Sequence, residues 1–123
     1  MSQAEVEKLA LLLGSVRYRY ASEAKLHDVI ELLLKEAGIV YTREYRIDAQ
    51  NRADFWINGI VIEVKVDGTA GDALRQVDRY IRLEGVHGVL LAATPMWAST
   101  QIKARPQWGG KAFAMVRLQR QAL

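Results

Sequence analysis

Hydrophobic positions along the chain follow two periods, and the switches between them mark out the elements. Val6, Leu9 and Leu13 recur at helical spacing over residues 3–13, ahead of Gly14. Ser22 is placed to cap a second helix that runs to about Ala37 and closes at Gly38. Its apolar stripe is Leu26, Ile30, Leu33, Leu34 and Ala37. Residues 39–47 read as a strand and 48–51 as a turn. From Arg52 to Lys65 apolar residues alternate with polar ones about Asn58-Gly59, the pair a type I′ turn favours, which predicts a β-hairpin. Residues 67–71 make a Gly-containing loop, and Thr69 followed by Asp72 is a capping box for a third helix over about 70–84. The unbroken apolar run from Gly88 to Thr94 predicts a strand covered on both faces, ended by Pro95. Residues 95–111 read as irregular and 112–118 as a last strand.

The two-residue turn fixes the hairpin register. Ile57 faces Ile60, Trp56 faces Val61, Phe55 faces Ile62 and Asp54 faces Glu63. One face then carries Ala53, Phe55, Ile57, Ile60, Ile62 and Val64, all apolar. The other carries Arg52, Asp54, Trp56, Val61, Glu63 and Lys65. Opposed carboxylates with Cβ atoms roughly 4.5–5.5 Å apart repel, so something must offset them. Arg52 and Lys65 on the diagonals offer a surface quartet. A divalent cation is the other solution. Mg²⁺ or Mn²⁺ takes one or two carboxylates and leaves positions for water and phosphate. Such an ion assists phosphodiester hydrolysis, and Lys65, on the same face, can act on the attacking water or on charge growing at phosphorus.

Composition narrows the field. The chain of 123 residues is the length of one domain, taken as spanning 1–123 with a core over about 22–94. Without cysteine there are no disulfides and no thiolate zinc site, and two histidines, His27 and His87, argue against a multi-histidine metal site. No apolar run approaches the roughly 20 residues of a membrane span. The polar start, Met-Ser-Gln-Ala-Glu-Val-Glu-Lys, is unlike a secretory leader, so a cytoplasmic location without membrane partners is expected.

Charge is unevenly spread. Residues 1–84 hold 12 basic and 14 acidic residues, whereas 85–123 hold Lys103, Arg105, Lys111, Arg117 and Arg120 and no acid. A basic segment over 95–123 suits a polyanion. Arg75, Arg79 and Arg82 recur at helical spacing away from Leu74 and Val77, placed for phosphates or for partners such as Asp72 and Asp78. Arg17, Tyr18, Arg19 and Tyr20 mix charge with aromatics, as single-strand binders do. Trp97 and Trp108 serve equally as stacking groups or buried anchors.

Asp54, then eight residues, then Glu63-Val64-Lys65 resembles the D-(x)n-(D/E)-x-K signature of the PD-(D/E)XK nuclease superfamily, with Ala53 where the name-giving proline stands. Gln76 and Tyr80 are similar to the Q-x-x-x-Y motif of its RecB-like and lambda-exonuclease-like members. The chain from Ser22 also looks like small stand-alone nucleases such as VRR-NUC proteins and Holliday junction resolvases. The resemblance implies an α/β, restriction-endonuclease-like αβββαβ core with a mixed central sheet flanked by helices. It implies a Mg²⁺- or Mn²⁺-dependent deoxyribonuclease, with Asp54 and Glu63 as ligands, joined by Glu23 from the second helix and the Val64 carbonyl. Lys65 becomes catalytic, and Gln76 and Tyr80 position the substrate. No element is left over to read base sequence, so branched or junction DNA is the expected substrate. A junction is two-fold symmetric and calls for a homodimer, for which the Leu/Val stripe of the first helix offers a surface. The competing classes are a nuclease-like module that binds nucleic acid without cutting it, and a subunit that acts only when a partner recruits it.

Overall fold

The computed structural model describes residues 2–99 and 107–121. Helix α1 spans Ser2–Gly14 and α2 spans Glu23–Glu36. Strand β1 is Thr42–Arg46, β2 is Arg52–Ile57 and β3 is Ile60–Lys65. Helix α3 is Ala70–Ile81 and β4 is Gly88–Ala93. A 3₁₀ turn over Met96–Ser99, β5 at Gln107–Trp108 and β6 at Lys111–Arg117 complete the described elements. The fold is α/β. Among the described residues six strands form one open mixed sheet in the order β1-β2-β3-β4-β6-β5. Strands β1 to β3 run antiparallel, β3, β4 and β6 run parallel, and β5 turns back antiparallel on β6.

Local chemistry accounts for the boundaries. Ser22 accepts the Lys25 N–H at 3.3 Å to start α2, and Gly38 takes φ +73° beyond its end. Thr69 accepts the Asp72 N–H at 3.1 Å to start α3. That helix stops at Ile81, three residues short of the pattern's reach, because Leu83 N–H turns back to Tyr80 O at 3.0 Å. Asn58 and Gly59 both have positive φ, as a I′ turn requires, and Ile57 pairs with Ile60, Trp56 with Val61 and Phe55 with Ile62. Asp48 closes the β1–β2 turn by accepting the Gln50 and Asn51 N–H groups at 2.9 and 2.8 Å.

Two cores result. On one face α1 and α2 pack Val6, Leu9, Leu13, Leu26, Ile30 and Leu34 against Phe55, Ile62, Val64 and Leu90. On the other, α3 packs Val77, Tyr80 and Ile81 against Val61, Val89 and Leu91. Strand β4 is buried along all six residues, as its continuous apolar run predicts. Gly88 lets α1 lie close, since a Cβ there would stand 2.9 Å from Val6 Cγ2.

Four expectations need correction. The Val6, Leu9 and Leu13 stripe is buried within the chain's own core, so it is no dimer surface. Residues 95–111 are not wholly irregular: they hold the 3₁₀ turn and β5, which are too short to show a period. The first strand begins at Thr42, not at residue 39. Ala53 belongs to the α3 core while Phe55 belongs to the α2 core, so the alternation slips between them. Glu44, across the ladder from this slip, has φ +55°, the local distortion that accommodates it.

Gly38 and Gly59 both have positive φ, but only at Gly59 would a Cβ strike a neighbour, the His87 ring. Gly59→Ala should therefore cost at least about 1 kcal/mol more than Gly38→Ala in denaturant unfolding.

Candidate active site

The β2–β3 ladder ends at the Phe55–Ile62 pair. The turn register predicts Asp54 opposite Glu63 as the next pair, but the ladder does not extend to it, and the Asp54 side chain takes over the bonding. Asp54 Oδ2 accepts the Val64 N–H at 2.8 Å. In an extended strand the N–H and C=O of one residue point to the same side, so the Val64 carbonyl opens toward Asp54 as well.

Glu63 turns toward α3 and is 5% exposed. Its Oε2 accepts from Gln76 Nε2 at 2.7 Å and lies 3.7 Å from Lys65 Nζ. Its Oε1 lies 2.9 Å from the Tyr80 hydroxyl, which is also 2.7 Å from the Arg52 carbonyl. Gln76 and Tyr80, four residues apart on α3, thus meet on one carboxylate. The expected surface quartet does not form: Glu63 is buried, and exposed Arg52 sits 3.8 Å from Glu44 instead.

Electrostatics single out the two acids. Burial, then the negative charge of Asp54, pushes the Glu63 carboxyl up to about 8, against the opposing Tyr80 hydrogen bond and Lys65 charge. Burial also raises Asp54, and the Glu23 charge adds to this, while the Val64 N–H and the His27 and Lys65 charges oppose it. Tyr80's single hydroxyl proton is shared between Glu63 Oε1 and the Arg52 carbonyl. A bound cation would supply positive charge beside the two acids that a proton held on Glu63 otherwise supplies.

From α2, Glu23 lies close enough for its charge to act on Asp54, yet its side chain is 52% exposed. Among the described residues no three Asp, Glu, His or Cys side chains form a metal-holding group. The donor set of Asp54, Glu63 and the Val64 carbonyl fits a hard ion that keeps several waters, since Mg²⁺ needs only one or two carboxylates. His27 is the residue that sequence reasoning passed over. It is buried beside Phe55, and its Nε2 has no hydrogen-bond partner, lying 3.6 Å from Glu23 Oε2. Its spacing, four after Glu23 and three before Ile30, carried the signal.

The basic residues divide. On α3, Arg75 is ion-paired with Asp72, Arg82 pairs with Asp78 at 2.8 Å, and Arg79 has no ion pair among the described residues. Arg17 and Arg19 are exposed, but Tyr18 between them is core: fully buried, it donates to Leu13 O at 2.6 Å. Tyr20 lies under Arg120, 4.6 Å from ring centroid to guanidinium. Lys111 donates to Leu83 O and Arg117 to Thr94 O, so both hold backbone while keeping their charge. Trp97 Nε1 donates to Gly68 O and Trp108 Nε1 to Asp78 Oδ1, anchoring roles for both. Lys103 and Arg105 lie outside the described residues.

Comparison with known protein families, curated proteins and solved structures finds no match. Among the described residues no helix is long and apolar enough to cross a membrane.

Because the folded state holds a proton on Glu63 more tightly than the unfolded chain does, that contribution to stability is present below about pH 4.5 and is lost as pH rises through about 8. In chelator, Glu63→Gln should gain on the wild type by about 4 °C or more in melting temperature between pH 5 and pH 9. Equal pH slopes for the two proteins would refute the assignment.

Proposed function

We propose that the chain is a Mg²⁺- or Mn²⁺-dependent deoxyribonuclease of the restriction-endonuclease-like αβββαβ arrangement. The observation that carries this reading is the union of Asp54 and Glu63 where β2 and β3 part, with Lys65 beside them at the carboxyl end of β3. Asp54, Glu63 and the Val64 carbonyl would hold the ion, with Glu23 and His27 at its rim. When bound, the ion polarises the phosphodiester and lowers the pKa of a water.

The chain's own residues do the rest. Val64 N–H fixes the Asp54 carboxylate through Oδ2, leaving Oδ1 for the ion. Gln76 and Tyr80 fix the Glu63 carboxylate from α3. Lys65, about a third exposed, keeps its ammonium at the mouth, where it can order the attacking water and offset charge growing on the phosphoryl oxygens. Arg79 offers an exposed cation for phosphates, with Arg75 and Arg82 partly neutralised by their aspartates. Backbone and shape are what these groups can read, so branched or single-strand-containing DNA is the substrate class.

Labelled duplex, flap, single-stranded and four-way-junction DNA, incubated with Mg²⁺ and with EDTA, test this. Cleavage should require the ion, and Asp54→Asn and Lys65→Ala should each lower it at least about 100-fold. Binding of DNA without cleavage or Mn²⁺ uptake would make the protein a binding module instead.

A further inference from the structure

Leu11 is 75% exposed on α1, although the helix already buries Val6, Leu9 and Leu13 on its inner side. The outer side of α1 otherwise carries charge, with Glu5, Glu7 and Lys8 exposed, so Leu11 stands out as an apolar point on it. Two grooves run along its flanks. One of about 640 Å³ lies between α1 and β6 and is lined by Ala10, Phe113, Met115 and Val116. The other, of about 520 Å³, lies between α1 and the turn end of the hairpin and is lined by Leu12, Ile39, Ile57 and Ile60. Leu11 lines both, so it is the ridge between them.

A ridge flanked by grooves on one surface is self-complementary, the condition for an isologous contact. Charge selects the orientation. The N-terminal half of α1 carries Glu5, Glu7 and Lys8, whereas exposed Arg17 and Arg19 follow its C-terminal end. Antiparallel packing sets the arginines of each copy against the glutamates of the other and opposes the helix dipoles; parallel packing sets like against like. Exposed Ala4, Gly14 and Ser15 keep the two ends of the contact thin.

We propose that this face joins two copies of the chain as a homodimer, α1 antiparallel to α1, with each Leu11 seated in the partner's groove beside Ile39 and Ile57. The groove lies at the turn end of the hairpin, away from Asp54, Glu63 and Lys65, so both candidate sites stay open. The proposal does not depend on the nuclease reading.

Sedimentation and light scattering across micromolar concentrations test it, on the full chain without DNA. The expected particle has twice the chain's 13.9 kDa mass and dissociates on dilution. Leu11→Asp should weaken the dimer at least about tenfold with an unchanged thermal melt of secondary structure, because the residue is exposed. Glu5→Arg and Arg17→Glu should each weaken it, and the double variant should restore it. A wild type that stays monomeric, a dimer indifferent to Leu11→Asp, or a double variant weaker than either single one would overturn the proposal.

Discussion

One interaction sets the terms for the candidate site: the Asp54 carboxylate in place of a strand carbonyl on the Val64 N–H. A continuous ladder would have satisfied that N–H from β2 and held Asp54 and Glu63 edge to edge. Here the ladder stops, the strands part, and the donor is satisfied by a charge. The gap that opens is where the Val64 carbonyl, both acids and Lys65 meet. The slip at Asp54 and the left-handed Glu44 opposite it are the backbone side of the same arrangement.

The rest of the α3 face answers to the second acid. A buried carboxyl without partners would be costly, so the helix supplies an amide and a phenol from positions one turn apart. Tyr80 does double service, since its oxygen also ties α3 to the Arg52 carbonyl on β2. Burial of this tyrosine raises its pKa, which keeps the hydroxyl protonated and able to donate. Helix packing and site geometry are thus parts of one hydrogen-bonded unit. A change at Gln76 or Tyr80 would disturb both.

Much of this was readable from residues because the determinants are local. The Asn58-Gly59 turn fixes three cross-strand pairs, Ser22 and Thr69 start their helices, and Gln76 and Tyr80 share a face by spacing alone. What escaped was set by tertiary contact. Strict alternation puts Ala53 with Phe55, but the one-for-one distortion at Glu44 and Asp54 is invisible to a period of two. The α1 stripe looked exposed because only the folded sheet shows that β4 and β6 cover it. Tyr18 and Tyr20 read as a possible nucleic-acid surface, yet the bridge between Tyr18 and Arg120 draws the connector onto the core. Histidine scarcity says little of His27, whose position on the buried stripe of α2 is the stronger cue. Resemblance supplied roles for the acids; it did not supply the hydrogen bonds that hold them.

The first helix has a kinetic meaning of its own. The Gln3 side-chain amide pairs with the backbone of Phe113, its Nε2 donating to the carbonyl and its Oε1 accepting the N–H, each at 3.2 Å. The two residues stand 110 positions apart. During synthesis α1 emerges long before β4 and β6, the strands that cover Val6, Leu9 and Leu13. Its docking closes a loop of nearly the full chain, a step that comes late by loop entropy. The inner face of α1 is therefore sealed only when β6 joins β4, so its final docking follows the formation of the sheet.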